Sequence, residues 1–100
     1  MDYSVRDLGD RKEVAMKGRF TFADHNAFRE MIDGLGKDGK RQCVLDLGGV
    51  EFIDSAGLGM LILLKDAASE KNIDLKLRGA QGQVRKMLEI SRFKDIISIE

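Results

Sequence analysis

Apolar and polar positions change their spacing several times along the chain. Tyr3 and Val5 alternate with polar neighbours, as do Val14 and Met16, and "LGDRK" between them reads as a turn, so the chain is predicted to open with a β-hairpin. After Gly18 the spacing becomes helical. Ala27, Phe28, Met31, Ile32 and Leu35 recur at three- and four-residue steps, Thr21 or Asp24 is available as a cap, and "GLGKDG" ends the helix. The run "QCVLDL", bounded by "KR" and "GG", suits a central strand covered on both faces. A helix over about 56–71 follows, then a strand in "IDLKLRG", a helix in "QVRKMLEISRF" with Val84, Met87 and Leu88 inward, and a last strand in "DIISIE". The order is ββαβαβαβ. Helices between the later strands call for right-handed parallel crossovers, whereas the hairpin is antiparallel, so the expected fold class is α/β with a mixed sheet.

Length adds one constraint to this picture. One hundred residues with no proline, no repeat and no low-complexity tract make one domain, 1–100, and a chain of that size buries a core without staples. Lys and Arg total 17 and Asp and Glu total 17, and the basic residues are scattered with acids beside them, so nucleic acid is not an expected partner. Cys43 has no second cysteine to pair with, which excludes an internal disulfide and favours a reducing compartment. The longest uncharged apolar run, Ala56 to Leu64, is too short to cross a bilayer, and the N-terminus lacks a basic segment followed by an apolar one. A soluble, cytoplasmic protein without membrane insertion is therefore expected. His25, the sole histidine, has no His or Cys at a ligand spacing, and no metal or cofactor is expected.

The residue that asks for an explanation is Ser55, in "GGVEFIDSAGLGMLILL". It stands at or next to the N-cap of the helix that follows the central strand. Asp54 and Ser55 are both good caps there, because their oxygens accept first-turn amides, an effect of about 1 kcal/mol. The same position favours a phosphate on the hydroxyl, since free amides and the positive end of the helix dipole face it. A nucleophile is poorly supported: "IDSAG" is not the Gly-x-Ser-x-Gly elbow, and no base, metal set or cofactor loop accompanies it. "GLGMLI" completes neither a Walker loop nor Gly-x-Gly-x-x-Gly. An enzyme is not expected.

Rotation along the helix separates its faces. With Leu58 at 0° and about 100° per residue, Met60, Leu61, Leu64, Ala67 and Ala68 fall in one arc from roughly 180° to 300°, the expected core face. Lys65, Asp66, Ser69 and Glu70 lie opposite, and Leu58 and Ile62 fall among them. Two apolar side chains on a charged face beside Ser55 predict a docking patch, the alternative being that a neighbouring segment covers them.

These residues carry a family resemblance. "VLDLGGVEFIDSAGLGMLILLKDA" resembles the signature of the STAS family, the anti-sigma-factor antagonists, with its strand, "DSxGLG" turn and helix. "KGRFTFADHNAFREMI" is similar to the family's Gly-x-Leu-Asp segment and first helix, and "VRKMLEISRFKDIISI" to its tail. The resemblance implies a single STAS domain, a mixed sheet of four to five strands with helices packed mainly on one side. It also implies a protein-binding switch without catalysis, in which the serine after the aspartate of "DSxGLG", here Ser55, is phosphorylated by a partner kinase that is also an anti-sigma factor. The implied partners are that anti-sigma factor/serine-protein kinase and a serine phosphatase; the implied docking residues are Asp54, Ser55, Ala56, Gly57, Leu58, Ile62 and Thr21. Other members are subunits or switches of lipid-transport, stress-sensing or nucleotide-cyclase assemblies. Two features depart from the pattern: Thr21 stands where many phosphorylated members have the aspartate of Gly-x-Leu-Asp, and the sequence to Glu100 stops short of the position where several relatives carry an additional C-terminal helix.

Overall fold

Five strands form a single sheet in the order β1-β2-β3-β4-β5 in the computed structural model, which describes residues 1–100. The strands are β1 (Asp2–Asp7), β2 (Lys12–Phe20), β3 (Gln42–Ile53), β4 (Asp74–Arg78) and β5 (Ser98–Ile99). The helices are α1 (His25–Asp33), α2 (Ser55–Glu70) and α3 (Gly82–Ile90). β1 and β2 pair antiparallel, as the alternation predicts; their turn closes with Leu8 N–H donating to Arg11 O at 2.9 Å, and Gly9 supplies its positive φ of 86°. The remaining pairings are parallel. Because β2 to β5 follow one another in a single direction across the sheet, right-handed crossovers put all three helices on the same face. The expected mixed sheet has five strands, with β3 at its centre.

The core lies between that face and the helices. Val14, Met16, Leu45, Leu47, Leu75 and Leu77 point into it from alternate strand positions and meet Phe28 of α1, Leu61 and Leu64 of α2, and Val84 and Leu88 of α3 in one buried cluster. Met60 and Ala68 are buried and Ala67 is partly buried, as the rotation predicts.

Three elements differ from the expectation. The strand expected in "QCVLDL" does not stop at "GG": β3 continues through "GGVEFI" to Ile53, because β2 stays alongside through two register shifts, Ala15/Lys17 and Gly18/Arg19. Gly49 permits this: a Cβ there would stand 2.7 Å from Lys17 Cβ and 2.9 Å from Met16 O. The first helix begins with a 3-10 turn over Phe22–Asp24 before α1 proper. In "DIISIE" the alternation is interrupted, since Phe93 starts another 3-10 turn and Ile97 plugs the core, leaving only Ser98 and Ile99 as strand.

Candidate functional site at the start of α2

Two strand ends meet beside Ser55, the end of β2 and the end of β3. Their last residues pair, Phe20 with Ile53, and Asp54 N–H donates to Phe20 O at 3.4 Å. Asp54 is the N-cap of α2, extended at φ −102° and ψ −178°, and its Oδ1 accepts from Gly57 N–H at 2.8 Å. Its Oδ2 accepts from Phe22 N–H at 3.3 Å. One carboxylate thus starts α2 and ties down the loop between β2 and α1. Of the two residues able to cap, Asp54 does so. Ser55 becomes the first residue of the helix, exposed, with its hydroxyl released from capping.

Thr21 lies at the same corner. It is half-buried, and its N–H donates to Asp24 Oδ2 at 2.9 Å, while Asp24 Oδ1 accepts from the Met1 ammonium at 2.9 Å. A carboxylate is therefore fixed three residues after the position where the family pattern carries one.

α3 braces β3 from the other side. β4 pairs with β3 only from Gln42 to Asp46, so the rest of β3 overhangs that neighbour. The Gln83 amide fills in as a strand would: its Oε1 accepts from Ile53 N–H at 3.0 Å and its Nε2 donates to Ile53 O at 2.9 Å. Gln81 Nε2 donates to Gly48 O at 2.8 Å. The residue before Asp54 is consequently held on both edges.

The expected docking residues separate by depth. Ser55 is exposed; Asp54, Ala56, Ile62 and Thr21 are half-buried with an accessible edge. Gly57 and Leu58 are corrections to the predicted patch, because both are buried. A Cβ on Gly57 would stand 2.6 Å from Ile53 Cγ1 and 2.8 Å from Phe20 O, so this glycine lets α2 approach the sheet. Leu58 is 9% exposed and belongs to the core cluster, and Ile62 packs against that cluster. The physical reason is that α2 is the middle helix of three. Its buried arc extends past the roughly 100° stripe of an ordinary surface helix, from Met60 round to Leu58.

The exposed face lies elsewhere. Ser55, Gly59 and Leu63 follow at four-residue steps, and Leu63 is 55% exposed. The same rotation puts Leu63 at about 140°, outside the core arc, so the signal was present in the sequence. Phe22, 68% exposed and stacked on His25 with ring centroids 5.4 Å apart, flanks the site through its bond to Asp54. Nothing in the periodicity of "RFTFAD" marks Phe22 as outward. No group of His, Cys, Asp and Glu stands together as a metal cage, burial pushes the Cys43 thiol up, and no helix is long and apolar enough to cross a membrane.

A strand-to-helix corner of this shape, on a five-stranded mixed sheet, is that of a STAS domain, and the family model described as "Mlab, STAS domain" matches residues 4–98. The chain belongs to the STAS family. It is 35% identical over 91 residues to a STAS-domain containing protein of Pseudomonas aeruginosa (strain UCBPP-PA14), covering 91% of this chain and 89% of that one. It is 24% identical over 87 residues to the anti-sigma-B factor antagonist of Staphylococcus aureus, covering 87% and 81%. Among solved structures it is similar in fold to the Bacillus cell fate determinant SpoIIAA in its phosphorylated form. That match has a TM-score of 0.73 at 12% identity and covers 99% of this chain and 91% of that chain. The relatives named as anti-sigma factor antagonists are regulators rather than enzymes.

Proposed function

We propose that this STAS domain is a phosphorylation-controlled binding module, an anti-sigma-factor antagonist. Unphosphorylated, it sequesters an anti-sigma factor that is also a serine kinase, and so regulates transcription from the cytoplasm; a serine phosphatase resets it. The observation that carries this reading is the division of labour at the corner: Asp54 takes the cap, leaving the Ser55 hydroxyl exposed.

The physics of the switch follows from the same geometry. A phosphate on Ser55 adds roughly −1.5 to −2 charges. In the free protein, water and the helix N-terminus tolerate that charge. Beneath a partner it has to be desolvated next to the Asp54 carboxylate, which hydrogen bonds from two backbone N–H groups hold in place. Each 1.4 kcal/mol of that cost is about a tenfold loss of affinity. The surface lost to the partner is the Ser55, Gly59 and Leu63 face with Phe22 and the accessible edges of Asp54, Ala56, Ile62 and Thr21.

Incubation with the cognate kinase and ATP, followed by mass spectrometric mapping, tests the assignment. The phosphate is expected on Ser55 alone. Stoichiometric modification of Thr21 or Ser69 instead would move the switch elsewhere, and no modification at all would favour a constitutive subunit of another assembly.

A further inference from the structure

The sheet has two edges, and they are unequal. β5 offers two residues, Ser98 and Ile99, whereas β1 offers six, Asp2–Asp7, all exposed. Of the usual guards of a free edge β1 carries only charge, at Asp2, Arg6 and Asp7. It has no proline, its pairing with β2 is unbroken from Asp2↔Lys17 to Asp7↔Lys12, and no helix lies over its apolar side chains. Tyr3 and Val5 stand opposite Met16 and Val14, so they share the helix-side face of the sheet, yet they are 41% and 50% exposed while their partners are 2% exposed. Asp2, Ser4 and Arg6 occupy the other face.

We propose that β1 is a homodimer interface, pairing antiparallel with β1 of a second copy about a two-fold axis at Ser4. The strand's own sequence selects both the occupant and the register. A two-fold axis perpendicular to the sheet must pass through a residue pair, so that opposed side chains share a face. Centred on Ser4, it sets Asp2 opposite Arg6 twice and Tyr3 opposite Val5 twice. Every charged residue from 2 to 6 then meets its opposite, and every apolar one meets an apolar one. Centred on Val5, the axis would put Tyr3 against Asp7 and Asp2 against Leu8; centred on Tyr3, it leaves Arg6 unmatched. Arg6 is available for a second carboxylate. Its guanidinium is 68% exposed and reaches Glu13 at only 3.6 Å, and Asp2 forms none of the chain's ion pairs, lying opposite Lys17. The result is a continuous ten-stranded sheet. Because β1 runs antiparallel to β2, its Asp2 end lies at the end of the sheet that carries Ser55, and the two-fold axis sends the two Ser55 corners to opposite ends. This dimer leaves both corners free, and it stands independently of the phosphorylation reading.

Sedimentation equilibrium of the whole chain over rising concentration tests it, with circular dichroism confirming that each variant folds. The wild type is expected to dimerise reversibly. Arg6→Glu and Asp2→Arg are each expected to weaken dimerisation by about tenfold or more, and the double reversal Asp2→Arg/Arg6→Glu to restore it. Restoration separates the interface from the contact with Glu13, which the double variant still lacks. Ser4→Cys, which faces its own copy, is expected to cross-link on mild oxidation faster than Arg6→Cys. A monomer up to about 1 mM, or a dimer indifferent to the charge reversals, overturns the proposal.

Discussion

Ser55 and Gly59 are neighbours on an exposed helix face, and neither is there for packing. A Cβ on Gly59 would meet nothing within 4 Å, whereas one on Gly57, two residues earlier in "GLG", would meet backbone and side chain below 3 Å. The same letter thus serves packing at Gly57 and leaves a smooth surface at Gly59, a distinction that spacing alone does not reveal. Leu58 and Leu63 make the matching contrast among leucines. Leu58→Ala should cost about 2 to 5 kcal/mol of stability, because the side chain leaves a cavity in a shared core. Leu63→Ala should change stability by under about 0.5 kcal/mol and weaken partner binding by about 1 kcal/mol or more. Urea denaturation and titration against the partner give the two axes. Equal destabilisation by both variants would show that Leu63 is also covered.

At the scale of elements, the sequence made the order and type of the main pieces legible, because alternation and three- to four-residue spacing are consequences of strand and helix geometry. "DSAGLG" likewise located the corner to within a residue. The departures at β3 and α2 share one cause: each depends on what the neighbouring element does. β3 extends to Ile53 because β2 bulges to stay with it and Gln83 closes its other edge, and neither event leaves a local mark in "GGVEFI". α2 buries Leu58 because it is the middle helix of the layer, so a wheel drawn for a helix at the edge underestimates its buried arc. Phe22 is illegible for a different reason, since an apolar residue in a 3-10 turn has no periodic partner to betray its direction.

The whole molecule has a polar clasp on the face without helices. Glu13 of β2, only 5% exposed, accepts from Arg78 Nη1 of β4 at 2.9 Å, and Arg78 Nη2 reaches Asp46 of β3 at 3.3 Å. Arg78's hydrogen bond, and its charge with those of Arg6 and Arg11, hold the Glu13 carboxyl below the usual glutamate range. Since the folded state binds that proton less readily than the unfolded chain, Glu13 stabilises the fold above the ordinary glutamate value of about 4.3. That contribution is lost as pH falls through the depressed value. Urea midpoints from neutral pH down to about 3 should therefore drop more steeply for the wild type than for Glu13→Gln. Parallel acid limbs would show that the clasp does not couple to folding.

The clasp and the corner occupy different faces of one small sheet, so binding at Ser55 can be altered without unfolding the protein. The most direct measurement is calorimetric titration of the partner kinase with Ser55→Ala and Ser55→Asp, each checked by thermal melting. Both variants should remain folded, with at most about 1 kcal/mol lost, because the cap is Asp54 rather than Ser55. Ser55→Ala should bind as the unmodified protein does, and Ser55→Asp should bind at least about tenfold more weakly, one 1.4 kcal/mol step. Equal affinity of the two folded variants would contradict a switch at Ser55.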